Sequence, residues 1–140
     1  MLYEVLPIEI DRLLGEAAGL KTDGYRFVAI TCTALDANQF DLLYHFDRNL
    51  ELRHLRLTLD AGRDVPSISP IYFAAFLAEN EIQDLFGIRF TGLAVDYQRT
   101  LYGEESTRIT PFCKYTVVAP PRANEQPGSE SGAMRTQEEA

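Results

Sequence analysis

Three runs of alternating residues between positions 25 and 59 constrain this chain more than any other feature. In residues 25–35, Val28, Ile30 and Cys32 share one side, and Phe27, Ala29 and Thr31 the other. Phe40, Leu42, Tyr44 and Phe46 alternate with Gln39, Asp41, Leu43 and His45. Leu55, Leu57 and Leu59 alternate with His54, Arg56 and Thr58. A period of two sends successive side chains to opposite faces, so each run reads as a strand with one buried face. The segments Asp36-Ala37-Asn38 and Asp47-Arg48-Asn49 hold turn-forming residues. The three strands therefore form an antiparallel meander whose outer face carries Arg53, His54 and Arg56.

Two helical patterns flank the meander. Residues 8–20 follow Pro7 and bring Ile10, Leu13, Leu14 and Ala17 to one face, with Gly19 as an end signal. The stronger pattern spans 71–86. Ser69 is placed as its N-cap, Pro70 at its first position and Gly87 as the glycine that ends it. Its first half, IYFAAFLA, is apolar all round, and its second half, ENEIQDLF, is amphipathic. Such a helix is buried on more than one side. Strands plus two separate helices predict an α+β fold, a two-layer sandwich of an antiparallel sheet packed by an N-terminal and a central helix. Residues 91–112 show no period, and 113–119 (CKYTVVA) read as a last short strand. From Pro120 onward there is no Leu, Ile, Val, Phe or Tyr. That segment buries too little apolar surface to offset the entropy of ordering it. The expected organisation is one domain over 1–119 and a disordered tail over 120–140.

The 140 residues carry 13 basic and 21 acidic side chains, a formal net charge of −8. An acidic chain repels phosphate backbones, which argues against a nucleic-acid partner. No run approaches the roughly 18 apolar residues of a membrane span, and the first residues lack the pattern of a signal peptide. The expected location is cytoplasmic.

Candidate chemistry is sparse. Cys32 and Cys113 are the two cysteines, and His45 and His54 the two histidines, none of them in a metal-binding motif. An iron–sulfur cluster usually takes four thiolates, so no cluster, metal or other cofactor is expected on this chain. Arg48, Arg53, Arg56 and Arg63 gather around one hairpin, where a charged outer face is the commoner arrangement than an anion site. Glu79, Glu81 and Asp84 offer paired carboxylates for acid–base work. Acids near a helix C-terminus more often signal ion pairing, within the chain (Arg89 and Arg99 are near) or to a partner. The residues describe an accessory subunit better than a free-standing carboxylate enzyme, and no catalytic residue is assigned.

Ser67-Ile68-Ser69-Pro70-Ile71-Tyr72, followed by Glu79-Asn80-Glu81-Ile82-Gln83-Asp84-Leu85-Phe86-Gly87-Ile88-Arg89-Phe90-Thr91-Gly92, resembles the signature of the thirty-kilodalton subunit family of respiratory complex I. This family holds the C subunit of NADH-quinone oxidoreductase and its hydrogenase relatives. Its pattern reads E-R-E-x-x-D-(L/M)-F-G-I-x-F-x-G-H after a P-S-(I/V)-(S/T) segment. The strand region YHFDRNLELRHLRLTL is also similar, and the likeness covers about residues 25–102. Asn80 replaces the usual arginine and Leu93 the usual histidine. Beyond Leu101 the chain lacks the aspartate-leucine-arginine-arginine and glycine-histidine-proline segments of complex I proper. In these respects it looks more like the short subunit of energy-converting, membrane-bound NiFe hydrogenases of the Ech type.

The resemblance implies a cofactor-free α/β wedge in the peripheral arm, on the cytoplasmic face of the inner membrane, touching the membrane only through other subunits. Its expected partners are the large subunit and the small iron–sulfur subunit, which would carry the NiFe site and the clusters. The complex would pass electrons from ferredoxin to protons and couple this to ion translocation. The corresponding subunit of a quinone-linked oxidoreductase is the alternative. The expected signature and partner interface comprises Ser67, Pro70, Tyr72, Phe76, Glu79, Glu81, Asp84, Phe86, Gly87, Phe90 and Gly92.

Overall fold

The computed structural model describes residues 3–102. Its elements are β1 (Tyr3–Pro7), a 3-10 turn (Ile10–Arg12), α1 (Leu13–Thr22), β2 (Arg26–Ala34), β3 (Gln39–Arg48), β4 (Glu51–Asp60), β5 (Val65–Pro66), α2 (Ala75–Phe86) and β6 (Phe90–Thr91). β2, β3 and β4 form the expected antiparallel meander. β1 adds in parallel to β4, giving the order β1-β4-β3-β2. The class is α+β, as expected, but the sheet is mixed. The sequence reading missed β1, which is too short to display a period. β5 and β6 pair in parallel as a separate two-stranded unit.

The register places Phe40 opposite Leu59, Leu42 opposite Leu57 and Tyr44 opposite Leu55, and all six are buried. These rungs form the inner face. Leu13, Ala17 and Leu20 of α1 and Ala75 and Ile82 of α2 complete one core with them. Phe40 meets Phe86 edge-on at 6.4 Å, and Phe46 lies 5.3 Å from Tyr72. Burying a large apolar side chain contributes roughly 1.5–3 kcal/mol, so this face anchors the domain.

Several expectations are corrected. β2 does not alternate strictly. Its register shifts between Phe27 and Ala29, so Phe27 joins Ile30 and Cys32 against the core while Val28 is half exposed. One inserted residue reverses the phase of what precedes it. Arg53 pairs opposite Phe46 and keeps the phase of Leu55, so it belongs to the inner side. There it lies over the Tyr25 ring at 5.2 Å and pairs with Glu4 at 3.3 Å. His54 and Arg56 remain on the open face. The second turn is Asn49–Leu50, because β3 continues through Arg48. In α1, Leu20 is buried and Leu14 is exposed. Gly19 does not end it: the helix runs to Thr22, and Gly24 turns the chain at φ 84°.

The central helix starts at Ala75, four residues later than expected, and Ser69 is not its N-cap. Ala74 holds the cap position without a side-chain bond. The segment before it descends in turns, with Ile71 and Tyr72 N–H groups donating to the Ile68 carbonyl. Tyr72 thereby enters the core, and its hydroxyl donates to the Tyr25 carbonyl at 2.9 Å. Gly87 ends the helix as expected, at φ 75°. The strand read at 113–119, the tail at 120–140 and the last part of the 91–112 segment lie outside the described residues. No helix among the described residues is long and apolar enough to cross a membrane.

Candidate functional site

The signature residues converge on one polar stripe of α2. Glu79 and Gln83, and Asn80 and Asp84, stand four apart, the spacing of neighbours on one helix face. All four are buried. Polar groups removed from water call for partners; each of the four side chains has at least one, and Asp84 Oδ1 alone among their atoms is buried without one among the described residues.

Glu79 grips the connection leaving β5. The Ser67 hydroxyl donates to its Oε2, and the Ile68 N–H donates to its Oε1 at 2.8 Å. With the Ser67 proton committed there, Ser69 Oγ donates to Ser67 Oγ at 2.7 Å. Ser69 Oγ then accepts from the Ala94 N–H at 2.8 Å. This use of Ser69 is why it does not cap the helix. Burial pushes the Glu79 carboxyl up to about 7, against the opposing pull of Ser67 and Ile68. The Tyr44 hydroxyl is pushed well above its ordinary range by burial and then by Glu79. It has no hydrogen-bond partner among the described residues.

Asn80 and Gln83 order the segment after β6. Asn80 Nδ2 donates to the carbonyls of Phe76 (2.7 Å) and Val95 (2.8 Å), and its Oδ1 accepts from Tyr97 N–H at 2.9 Å. Gln83 Oε1 accepts from Phe90 N–H at 3.0 Å. Its Nε2 donates to Asp96 Oδ1 at 3.3 Å. Asp84 Oδ2 accepts from Tyr102 N–H at 2.8 Å. Arg99 Nε donates to the Gln83 carbonyl at 3.2 Å, placing a cation at the helix C-terminus, where it is favoured. Residues 92–102 owe their order to helix side chains, so no period shows in their sequence.

The expected interface residues thus divide. Ser67, Tyr72, Glu79, Asp84 and Phe90 are buried, and Gly87 and Gly92 turn the backbone at positive φ. Phe86 packs on Phe40. Pro70 and Glu81 are exposed and Phe76 half-buried. Glu81 meets the Tyr102 hydroxyl at 3.4 Å, so Glu79, Glu81 and Asp84 do not converge as a carboxylate cluster. On the outer side of α2, Phe73 and Leu77 are 62% and 50% exposed, and Phe73 stacks on Phe76 at 5.0 Å. Arg89 reaches Asp64 at 3.6 Å rather than the helix acids.

Three of the four hairpin arginines have carboxylate partners of their own. Arg56 binds Asp41 through Nε at 2.9 Å, Arg48 pairs with Glu51 at 3.8 Å and Arg53 with Glu4. They do not form an anion site. Sequence reasoning overlooked His45 and His54 as a pair. They face each other across β3 and β4 with Nδ1 atoms 2.7 Å apart. Their equal distance from the two-residue turn at Asn49–Leu50 was the available signal. No group of three or more His, Cys, Asp or Glu among the described residues is placed to hold a metal.

A mixed four-stranded sheet backed by two helices, with a polar stripe of α2 beneath the signature, places the chain in the α+β class. The model of the respiratory-chain NADH dehydrogenase 30 kDa subunit family matches residues 6–121, and the chain belongs to that family. The C subunit of NADH-quinone oxidoreductase from Ruegeria pomeroyi is 38% identical over 69 residues, 45% of this chain and 34% of that protein. The chain therefore spans about a third of that relative's length. The fold is shared with a chain of the membrane-bound sulfane sulfur reductase, an archaeal respiratory membrane complex. The TM-score there is 0.68 at 17% identity, over 79% of this chain and 70% of that one. It is also shared with the trypsin-resistant fragment of Nqo5, with TM-score 0.57 at 20% identity, over 65% of this chain and 80% of that one.

Proposed function

We propose that this chain is a cofactor-free structural subunit of the peripheral arm of a membrane-bound, energy-converting NiFe hydrogenase. It docks on the large subunit and the small iron–sulfur subunit at the cytoplasmic face of the inner membrane. Those partners carry the NiFe site and clusters, pass electrons from ferredoxin to protons and couple this to ion translocation. The chain meets the membrane only through them. The observation that carries a docking role is the division of α2. Its polar stripe is turned inside the domain, while Leu77 on its outer side and Phe73 just before its start stand in water beside the half-buried Phe76. Exposed apolar groups of this size, gathered at the start of one helix, mark contact surfaces. Asn80 and Leu93, where the family pattern has arginine and histidine, support the hydrogenase branch.

A second reading is the equivalent subunit of a NADH- or ferredoxin-quinone oxidoreductase, favoured by the 38% identity to a protein of that kind. Affinity isolation of the tagged full chain from solubilised membranes, with mass-spectrometric identification of its companions, separates the two. A large subunit with two CxxC pairs for nickel supports the hydrogenase. A large subunit without them, found with quinone-reducing activity, supports the alternative. Recovery of the chain alone contradicts both.

A further inference from the structure

The open face of the sheet carries a second feature that the docking role leaves unused. His45 and His54 are directly opposite each other on β3 and β4. Their rings stand at 80° with centroids 4.8 Å apart, and the two Nδ1 atoms are 2.7 Å from each other. The far nitrogen of His45, Nε2, lies 2.7 Å from Thr31 Oγ1 on β2. Both rings are half-buried, and both sit on rigid strands rather than loops.

We propose that His45 and His54 form a two-nitrogen site for a borderline divalent transition-metal ion, Cu2+, Ni2+ or Zn2+. Imidazole nitrogens are common ligands for these ions, at about 2.0–2.1 Å in zinc sites. Two ligand nitrogens of one tetrahedral ion stand somewhat more than 3 Å apart by that geometry, so a small opening of the pair admits it. Thr31 supplies the outer contact. When Nε2–H of His45 donates to the hydroxyl, the lone pair is left on Nδ1, facing His54, and the ring is held in orientation. In that tautomer the proton between the rings sits on His54 Nδ1, and binding an ion there requires it to pass through solvent to His54 Nε2.

The charged groups on this face do not oppose a cation. Arg56 is paired with Asp41, and Arg26 with Asp47 through two bonds. The chain as a whole is anionic at −8. The two histidines leave the remaining coordination positions to water or to a donor from another molecule.

The test is calorimetric titration of the purified full chain at pH 7.5 with CuCl2, NiCl2 and ZnCl2 in separate runs. Electron paramagnetic resonance of the Cu2+ sample accompanies it. One ion per chain is expected, with Cu2+ bound most tightly in accord with the general affinity order and a spectrum showing two equatorial nitrogens. His54→Gln should abolish the signal, and Cys32→Ser should leave it unchanged. Thr31→Val should weaken binding about tenfold, the usual effect of losing an outer contact to a ligand histidine. Absence of stoichiometric binding overturns the proposal. So does binding that survives His45→Gln combined with His54→Gln, or a spectrum with fewer than two nitrogens. The Thr31→Val arm keeps the test decisive should a histidine variant fail to fold. None of these outcomes bears on which complex the chain joins.

Discussion

Ser67 is bonded to Glu79, which ties the connection after β5 to the central helix. A hydroxyl on the strand connection donates to a carboxylate buried on the central helix, and the Ile68 N–H completes the grip. This serine–glutamate pair is thereby a structural joint between the two elements.

Replacing Glu79 by Gln should change how stability depends on pH. The folded carboxyl titrates near 7, above its ordinary 4.5. Between those values the folded state binds more protons than the unfolded one, so this group's contribution falls as pH rises from about 4.5 to 7 and is flat above. The shift corresponds to about 3 kcal/mol. Glutamine can accept from Ile68 and donate to Ser67 without charge. Urea titrations should find the variant gaining on the parent by about 2–3 kcal/mol from pH 5 to pH 8. Parallel pH profiles would refute the assignment.

Tyr44→Phe should be neutral or stabilising. The hydroxyl is buried and unpartnered among the described residues. Removing a buried polar group that makes no bond recovers up to about 1–3 kcal/mol of desolvation. A loss of more than about 1 kcal/mol in the same titration would reveal a bond that the geometry does not show.

Leu50→Gly should raise stability. Asn49 and Leu50 both adopt positive φ, at 51° and 68°, and Leu50 is 87% exposed. A left-handed backbone costs a side-chain-bearing residue about 1–2 kcal/mol. Two-residue hairpins of this kind favour Asn-Gly. Allowing for the extra freedom of glycine in the unfolded chain, a net gain of about 0.5–1 kcal/mol is expected. A lowered melting temperature would contradict the turn assignment.

Asn80→Ala should loosen residues 92–102 while the sheet stays intact. The change removes the bonds to Val95 and Tyr97, whose backbone groups are only partly buried, at about 1–3 kcal/mol in total. Limited proteolysis should then cut first in this segment. Unchanged resistance would show that the loop is held by something else.

The meander was legible because β3 and β4 bury one face each, and a period of two records that directly. Val28 was misplaced because a bulge costs one residue and leaves no mark in composition. Ser69-Pro70 carries the chemistry of a helix start, yet tertiary bonds to Ser67 and Ala94 outcompete capping. Asn80 and Gln83 resemble a solvated helix face, since polar type alone does not distinguish water from a backbone partner. IYFAAFLA reads as a helix buried on more than one side, yet its first four residues lie before α2, and Phe73 and Leu77 are exposed in the chain by itself.

Docking of the chain into a larger complex is tested by native mass spectrometry of the tagged full chain isolated from membranes in mild detergent. The wild type should appear in a heteromeric assembly holding one copy of the 15.8 kDa chain. Phe73→Ser combined with Leu77→Ser should release it as a folded monomer. A wild type found wholly as the free chain would contradict the account.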